Sequence, residues 1–501
     1  MDRNFAAIDL GSNSFHMIVA KALDDHQFQV VDRLREPVRL AAGLDAEGNL
    51  SGDAQARGLE CLERFGQRLR DLDSSNVRAV GTNALRCARN GRHFLRAAKR
   101  ALGHRIEVVS GTEEARLIYL GVALSTSFSG TRLVVDIGGG STELILGEGF
   151  EPKRLESLFI GCVSMTERYF GSGVIDKASL QRAELAARLE VEPVRWEFSP
   201  KEWLQVTGAS GTIKSIHDVV HRKGWVTQGI SRGSLKRLRS LLVEAGSASA
   251  LPACLGISED RAQVFAGGVA VLLGVFKSLG VQCMEVSDGA LREGLLLDLM
   301  GRVRDEDVRV GTVLGIEQRH AIDAAHAHRI AATARRLLRD VREGWALQDS
   351  ELEGYLTWAA QLHELGLLVA HTQYHKHGGY ILANADLPGF SRGDQRLLAA
   401  LVRGHRRKLP TEVFAELPEE MQVPAERLCI LLRLAVMLHR GRGGTPAPPV
   451  RARALERTLE LAFPEGWLES HPLTRADLEQ EARYLRAAGY LLSFEATPVS
   501  A

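Results

Sequence analysis

Acidic residues enclose a run of glycines in the stretch Asp136-Ile-Gly-Gly-Gly-Ser-Thr-Glu143. Glycine lets a backbone turn tightly and approach a ligand closely, and consecutive exposed N–H groups form a concavity that suits a phosphate. Carboxylate oxygens suit Mg²⁺, so Asp136 and Glu143 are the predicted metal ligands. An ordinary hairpin with a glycine-rich turn is the alternative. The predicted phosphate-binding residues of this stretch are Gly138, Gly139, Gly140, Ser141 and Thr142.

A second copy of this pattern lies near the start of the chain, and in it Asp9 takes the place of Asp136. Apolar residues flank both copies in the manner of buried strands. Two strand–Asp-x-Gly–strand units, one domain-length apart, predict two related lobes with a phosphorylated ligand in the cleft between them. This is the α/β plan of the actin/hexokinase/Hsp70 superfold. The predicted phosphate-binding residues of this copy are Asp9, Gly11, Ser12, Asn13 and Ser14.

A further glycine-rich turn, Gly208-Ala-Ser-Gly-Thr212, has a predicted strand before it and a predicted helix after it. The N-terminus of a helix presents free N–H groups to an anion, and Lys214 would add a point charge. Simple packing of the strand against the helix is the alternative. The predicted phosphate-binding residues here are Gly208, Ser210, Gly211, Thr212 and Lys214.

Two more stretches carry candidate catalytic side chains. Arg86 follows a predicted strand over 77–81, at the kind of strand end where ligand clefts of α/β proteins lie. Its guanidinium could grip a phosphate, or it could form a surface salt bridge. Glu113 and Glu114 lie in the first turn of a predicted helix, where the helix dipole alone would favour them. Either one could instead face the cleft as a general base for water.

Histidine is concentrated in the predicted helical region after residue 306. There, His363-Glu364 is similar to the His-Asp pair of HD-type metal phosphohydrolases, with Glu in place of Asp; packed or solvated histidines are the alternative. A cationic cluster follows and predicts a track for a long polyanion held by charge. A solvated basic face is the alternative. The residues of this predicted track are Arg403, His405, Arg406, Arg407 and Lys408.

Composition excludes several classes of protein. The 501 residues carry a net charge of +1, so no global field recruits nucleic acid. The six cysteines are scattered without a C-x-x-C pair, which favours reduced thiols in a cytoplasmic protein. The chain enters its first strand without a signal peptide, and no apolar run reaches the ~18 residues of a membrane span. Peripheral association with a membrane stays open.

Composition and pattern also predict how the chain divides. A turn-rich linker is expected over residues 441–449. Strands are predicted over residues 159–163 and, as a single strand, over 451–463. The predicted domains are two actin-like lobes over 1–125 and 126–305, a helical HD-like domain over 306–441 and a small α/β domain over 442–501.

Taken together, the motifs resemble those of the exopolyphosphatase/guanosine-pentaphosphate phosphohydrolase (Ppx/GppA) family, in order and spacing, over essentially the whole chain. The exopolyphosphatase branch is favoured by the three glycines of the loop, by Ser287-Asp288 and by the stretch His371–Leu382. The motifs that carry the resemblance are residues 7–14, 81–86, 110–117, 136–143, 208–212 and 288–294.

The resemblance implies an enzyme that removes terminal orthophosphate processively from inorganic polyphosphate, with Glu114 as the catalytic glutamate, Glu113 as its fallback and Arg86 holding the phosphoryl group. It implies Mg²⁺ as cofactor, with Mn²⁺ as the alternative and K⁺ as a candidate stimulatory ion. It also implies a homodimer. The main alternative is hydrolysis of guanosine pentaphosphate (pppGpp) to ppGpp in the same cleft. A sugar or acetate kinase and a non-catalytic polyphosphate or alarmone sensor are two further hypotheses.

Overall fold

The computed structural model describes residues 4–23, 28–126, 128, 130–303, 307–442 and 449–497. Its internal contacts divide the chain into two compact units, Met1–Val308 and Arg309–Ala501. Each buried hydrophobic cluster lies within one of these units. Most of the linker predicted over 441–449, and the domain boundary predicted between residues 305 and 306, fall outside the described residues.

The first lobe of the first unit is built on a mixed sheet. Its elements are β1 (Asn4–Leu10), β2 (Ser14–Ala22), β3 (Phe28–Pro37), α1 (Gly52–Leu69), β4 (Val77–Gly81), α2 (Asn83–Cys87), α3 (Gly91–Leu102), β5 (Ile106–Val108) and α4 (Gly111–Ser125). The strand order is β3-β2-β1-β4-β5. β1, β2 and β3 form an antiparallel meander, and β4 and β5 join parallel to β1. β1 is the central strand, and its apolar residues are buried, as expected for a strand covered on both faces.

The second lobe has a six-stranded sheet. Its elements are β6 (Thr131–Ile137), β7 (Thr142–Glu148), β8 (Glu151–Leu158), α5 (Cys162–Phe170), α6 (Lys177–Val191), β9 (Gln205–Ala209), α7 (Ser210–Arg222), β10 (Ile230–Ser231), α8 (Arg232–Ala245), α9 (Leu251–Leu255), α10 (Glu259–Ser278), β11 (Cys283–Val286) and α11 (Leu291–Val303). The strand order is β10-β11-β9-β6-β7-β8. The last helix, α11, returns to the first lobe and packs on α4 and β1.

The two sheets repeat one plan. The meander β6-β7-β8 corresponds to β1-β2-β3, and β9 and β11 join in parallel as β4 and β5 do. The two Asp-x-Gly sequences therefore occupy equivalent turns, each between the first and second strands of its sheet. This arrangement confirms the predicted fold class of two actin/hexokinase/Hsp70-like lobes.

The second unit is mainly helical and ends in a small three-stranded sheet. Its elements are α12 (Val308–Arg319), α13 (Ala324–Val341), α14 (Glu351–Leu362), α15 (Tyr374–Asn384), α16 (Arg392–Gly404), α17 (Thr411–Phe414), α18 (Glu419–Leu438), β12 (Arg451–Leu455), β13 (Thr458–Pro464), α19 (Trp467–Ser470), α20 (Pro472–Ala487) and β14 (Leu491–Thr497). The helices and this sheet share one hydrophobic core, in which the Trp345 and Tyr490 rings meet edge to face with centroids 6.3 Å apart. Residues 306–441 and 442–501, predicted as separate domains, thus contribute to one compact unit.

Two predicted strands differ from the structure. Residues 159–163 were predicted as a strand, but α5 begins at Cys162, whose N–H donates to the Gly138 carbonyl at 2.9 Å. The segment therefore caps the glycine loop instead of extending the sheet. Residues 451–463 form the hairpin β12–β13, because the backbone turns at Glu456, which has a φ of 50°. Among the described residues, the structure contains no helix with the length and apolar character of a membrane span.

Candidate active site

Carboxylates from both lobes gather where the two Asp-x-Gly turns meet. Asp9 is at the end of β1, beside Val80 of the parallel strand β4. Asp136 is at the end of β6 and lies opposite Glu143 of β7 in the antiparallel register. A cross-strand pair has neighbouring side chains, so the hairpin itself brings the two predicted metal ligands together. All three residues are buried or nearly so.

The two glycine turns are in direct contact. A Cβ added at Gly139 would come within 2.8 Å of the Ser12 Cβ, and one added at Gly140 would overlap the side chain of Asn83. The absence of Cβ therefore allows the two turns and the start of α2 to approach one another. Among the residues that the structure describes, the main-chain N–H groups of Gly139 and Gly140 have no hydrogen-bond acceptor. They remain available to an anion.

Glu114 and Arg86 form an ion pair, with 2.6 Å between Glu114 Oε2 and Arg86 Nη1. Arg86 lies in α2 and also donates to the Val109 carbonyl at 3.2 Å. Glu114 lies in the first turn of α4, which the Ser110 hydroxyl caps by accepting from the Glu113 N–H. The pair is thus held between the last turn of α2 and the first turn of α4, both in the first lobe. Negative charge on Glu114 raises the pKa of Asp9, Asp136 and Glu143, which places Glu114 within electrostatic reach of all three.

Burial strongly perturbs this acidic group. It raises the pKa of Asp9 to about 7, with Arg292 opposing the shift and Glu114 adding to it. It raises the pKa of Asp136 to about 7 as well, with further contributions from Glu114 and Asp9. Burial, followed by the charges of Glu114 and Asp136, also raises the pKa of Glu143 well above its usual range. Buried carboxylates that lie close together repel one another when they are ionised. A nearby cation is therefore needed for all of them to be charged at once.

The same residues fit a magnesium ion. Asp9 Oδ1 and Glu143 Oε2 are buried, and neither has a hydrogen-bond partner among the described residues. The other oxygen of Glu143 accepts from the Ser157 hydroxyl at 2.9 Å, which fixes the orientation of the carboxylate. Unpaired buried carboxylate oxygens of this kind are what a hard divalent cation requires. Asp9, predicted only as a phosphate-binding residue, therefore joins Asp136 and Glu143 as a candidate ligand.

The third glycine turn supplies one cation to this region. Burial raises the pKa of Asp136, and the positive charge of Lys214 on α7 partly opposes that rise. The Nζ of Lys214 is 3.1 Å from the Asp288 carbonyl oxygen and 3.1 Å from Asp288 Oδ1. Ser210 begins α7 with a φ of 86°, a left-handed conformation that is strained for serine and tends to mark functional turns. A Cβ at Gly211 would come within 2.8 Å of Arg261 Nη2.

Several predicted site residues use their side chains elsewhere. The Thr142 hydroxyl donates to the Ile160 carbonyl at 2.6 Å. Thr212 is buried, and its hydroxyl hydrogen-bonds with the Cys162 thiol. Glu113, the fallback base, binds Arg116 with both carboxylate oxygens, at 2.7 and 2.8 Å. Its carboxylate belongs to a buried ion network and not to the group around Asp136.

The remaining predicted residues lie in the second unit. Arg403, Arg407 and Lys408 are exposed there, in agreement with a charged surface. His405 differs, because its ring is buried and Nδ1 donates to the Val402 carbonyl at 2.5 Å. The imidazole of His405 therefore does not contribute to the exposed part of the predicted track.

Arg292 is a site residue that sequence reasoning did not select. It comes from the Asp288–Gly294 motif at the start of α11, and its charge partly opposes the rise that burial causes in the pKa of Asp9 and Asp136. Its Nη1 is 2.5 Å from Nδ1 of His16 on β2. The motif itself predicts a glycine turn. The arginine that follows this turn is the feature of the sequence that could have identified Arg292 as a site residue. Arg292 supplies positive charge from the second lobe to carboxylates of both lobes.

Comparison with known proteins gives a consistent family. Residues 18–303 match the Ppx/GppA phosphatase family, and residues 308–482 match domain III of Ppx/GppA phosphatases. A Vibrio cholerae protein named guanosine-5′-triphosphate,3′-diphosphate pyrophosphatase is 40% identical over 495 residues, covering 98% of each chain. A protein of the same name from Pseudoalteromonas translucida is 38% identical over 494 residues, covering 97% of each chain.

Solved structures support the fold of the first part of the chain. The crystal structure of an exopolyphosphatase from Cytophaga hutchinsonii matches with a TM-score of 0.54 and 25% sequence identity. The match covers 60% of this chain and 98% of the Cytophaga chain. The two full-length relatives described above are named for pppGpp, whereas the Cytophaga structure, which matches 60% of this chain, is named an exopolyphosphatase.

Proposed function

Because the chain belongs to the Ppx/GppA phosphatase family, we propose that it hydrolyses the terminal 5′-phosphate of guanosine 5′-triphosphate 3′-diphosphate (pppGpp), giving ppGpp and orthophosphate. The observation that carries this choice is the 38–40% identity, over nearly the full length of both chains, to relatives named for that substrate. This identity favours the pppGpp alternative over the polyphosphate preference that the three glycines, Ser287-Asp288 and the stretch His371–Leu382 suggested.

The geometry of the cleft supports terminal phosphoryl transfer to water. The free N–H groups of Gly139 and Gly140 would hold the oxygens of the terminal phosphoryl group, and Arg86, which pairs with Glu114, would add a positive charge. Asp9, Asp136 and Glu143 would hold Mg²⁺, which neutralises charge on phosphate oxygens when bound. Glu114 would orient the attacking water and accept its proton. Phosphoryl transfer asks mainly for positioning and electrostatic stabilisation, and these residues supply both.

Further cations near the cleft support a substrate with a second phosphate group. Burial, followed by the positive charges of Arg292, Arg35, Arg261 and Arg33, lowers the pKa of His16 to about 3. Arg292 Nη1 lies 2.5 Å from the His16 ring, and Arg33 is paired with Glu293 at 3.5 Å. pppGpp carries a 3′-diphosphate in addition to its triphosphate, and arginine is well suited to bind both.

The substrate is tested by orthophosphate release from pppGpp and from long-chain polyphosphate, both with Mg²⁺ and at matched concentrations of terminal phosphate. We expect pppGpp to have the higher kcat/KM. A variant with Arg403, Arg407 and Lys408 changed to Glu should hydrolyse pppGpp like the parent. Preference for the polymer, lost in that variant for long chains only, would overturn the nucleotide assignment and support the polyphosphate track. Tight ATP binding without hydrolysis of either substrate would favour a kinase.

The raised pKa values predict a pH-dependent affinity for Mg²⁺. Asp9 and Asp136 have pKa values of about 7, so both are largely protonated below that pH and ionised above it. A proton and Mg²⁺ compete for the same oxygens, so affinity should increase as the pH rises. We expect the Kd for Mg²⁺ to fall about tenfold or more between about pH 6 and pH 7, and to level off near about pH 8.

Isothermal titration with MgCl₂ in the absence of nucleotide measures this dependence. Asp136→Asn should bind Mg²⁺ more weakly and with a shallower pH dependence, because one titrating ligand is gone. Asp71→Asn, at an exposed position of the first lobe, is the matched control and should behave like the parent. A Kd that stays constant across this pH range would show that these carboxylates do not hold the ion.

A further inference from the structure

The second unit contains a cavity of about 440 Å³ that the proposed reaction does not use. Histidine and carboxylate side chains line one part of it, and arginines line another. This volume lies within the range of pockets that bind small molecules. The polar composition of the wall indicates that its ligand is charged.

Three of the lining residues have the arrangement of a metal-binding group. His326 lies in the first turn of α13, and His363 and Glu364 directly follow α14. One ligand atom from each lies within 4.8 Å of the corresponding atoms of the other two. Ligands around a tetrahedral zinc ion are separated by about 3.4 Å, so the group needs only a small contraction to close on an ion. All three residues are at least nine-tenths buried.

Hydrogen bonding orients one of the two imidazoles, and the other has a ring nitrogen available for a ligand bond. Nδ1 of His363 donates to the Ala360 carbonyl at 2.7 Å, which leaves Nε2 as the nitrogen with a free lone pair. That nitrogen is 3.9 Å from Glu364 Oε1. A carbonyl that orients the far nitrogen of a histidine is the usual support of a metal ligand. His326 is 4% exposed, and its Nδ1 has no hydrogen-bond partner among the described residues.

We propose that His326, His363 and Glu364 bind a divalent transition-metal ion of the zinc class, and that the ion binds a phosphate-bearing small molecule in the cavity. Two imidazoles and one carboxylate suit Zn²⁺ and its neighbours better than Mg²⁺. Three protein ligands leave a coordination position open, as in sites where the ion contacts a ligand. That position would face the cavity.

The arginines of the cavity specify an anion as the ligand. Arg433 is paired with Glu481, and Arg440 with Asp477. Arg406 and Arg407 have no carboxylate partner within the described part of the chain, and Arg406 lies over the Tyr374 ring at 5.2 Å from its centroid. Guanidinium groups that lack a carboxylate partner and lie beside a bound metal ion are suited to bind the oxygens of a phosphate or diphosphate.

Arg442 provides the sharpest test of the metal site, because its guanidinium competes with the proposed ion for the Glu364 carboxylate. Its Nη2 forms an ion pair with Glu364 Oε1, and its side chain is half exposed. Binding of the metal ion requires this guanidinium to move away from the carboxylate. Arg442→Ala should therefore lower the Kd for Zn²⁺ by about 1.5- to fivefold, the range expected for a partly exposed ion pair. Arg440→Ala removes a neighbouring ion pair with Asp477 and is the matched control.

The experiment uses the full chain stripped of metal by a chelator and titrated with Zn²⁺ in a calorimeter. We expect a stoichiometric site that is absent in His363→Ala and present in His328→Ala, a control on the same helix as His326. Far-ultraviolet circular dichroism establishes that His363→Ala is folded. Zn²⁺ binding that is unaffected by His363→Ala, or an affinity that falls or stays constant in Arg442→Ala, would overturn the metal site.

Co²⁺ in place of Zn²⁺ tests the second half of the proposal through its visible absorption spectrum, which reports the ion's ligands. Inorganic pyrophosphate should shift the spectrum of the Co²⁺-loaded protein, and should shift it far less in a variant with Arg406 and Arg407 changed to Ala. A spectrum that pyrophosphate leaves unchanged, or shifts equally in that variant, would overturn the phosphate ligand. The cobalt signal of His363→Ala, subtracted from that of the parent, isolates this site from the carboxylates of the first unit.

Discussion

Replacing Glu114 with glutamine lowers the turnover of pppGpp by about 10²–10⁴-fold, the usual contribution of a general base. Glutamine has the same size and can still accept a hydrogen bond from Arg86, so the 2.6 Å contact changes little in shape. The amide cannot accept the proton of the attacking water at neutral pH. Loss of the charge also removes repulsion from Asp9, Asp136 and Glu143, so Mg²⁺ binding should be altered less than turnover.

The measurement is kcat and KM for orthophosphate release at saturating Mg²⁺, beside Glu113→Gln as the neighbouring control. Glu113 is one position away, and its carboxylate binds Arg116 instead of facing the acidic group. Glu113→Gln should lower thermal stability and leave kcat near the parent value at temperatures where the protein is folded. Turnover at the parent rate by Glu114→Gln, or a selective loss of kcat in Glu113→Gln, would move the general base to Glu113 or elsewhere.

The choice between Glu113 and Glu114 also shows where sequence reasoning reaches its limit. Adjacent residues on a helix point about 100° apart, so only one of the two can face a given cleft. The sequence shows that both are in the first turn but does not show which face is buried. The partners decide this: Arg116 and Arg78 hold Glu113 on one side of α4, and Arg86 pairs with Glu114 on the other.

The fold of the first unit was predictable because its sequence is repeated. Asp9 and Asp136 occupy equivalent turns of two sheets with the same strand order, and that repetition identified two lobes. The pairing of Asp136 with Glu143 also followed from the sequence, since a short turn between two strands sets the residues at its base opposite each other. Predictions of this kind hold in the folded structure because they depend only on residues that are close together in the sequence.

Features that depend on distant segments were not predictable. The apolar residues 159–163 have the character of a strand, but the carbonyl of Gly138 makes Cys162 the start of a helix. Arg292 reaches Asp9 and Asp136 only because α11 returns across the first lobe. His326 meets His363 through the packing of α13 and α14, which no sequence spacing specifies. The preferred substrate is not specified by local sequence pattern either, because the proposed catalytic residues would serve both activities.

Replacing Arg116 with alanine should destabilise the first unit by about 3–5 kcal/mol, the usual cost of breaking a buried ion pair. Arg116 binds both carboxylate oxygens of Glu113 and also Asp298 of α11. Arg78 on β4 pairs with the same two carboxylates, and Arg302 lies 3.0 Å from Asp298. These cations hold the pKa of Asp298 far below its usual range despite its burial. Without Arg116, the two carboxylates keep their burial but lose their principal partner.

The chain supplies a matched control with the same spacing on its surface. Glu192 and Arg195 also form an ion pair three residues apart, at 3.0 Å, but both side chains are exposed to solvent. Arg195→Ala should cost no more than about 0.5 kcal/mol, as exposed pairs do. Scanning calorimetry should show the transition of the first unit about 5–15 °C lower in Arg116→Ala and nearly unchanged in Arg195→Ala. Equal shifts would contradict a stabilising role for the network. A large shift for Arg116→Ala alone would show that ion pairs between α4, β4 and α11 hold in place the helices that carry Glu114 and Arg292.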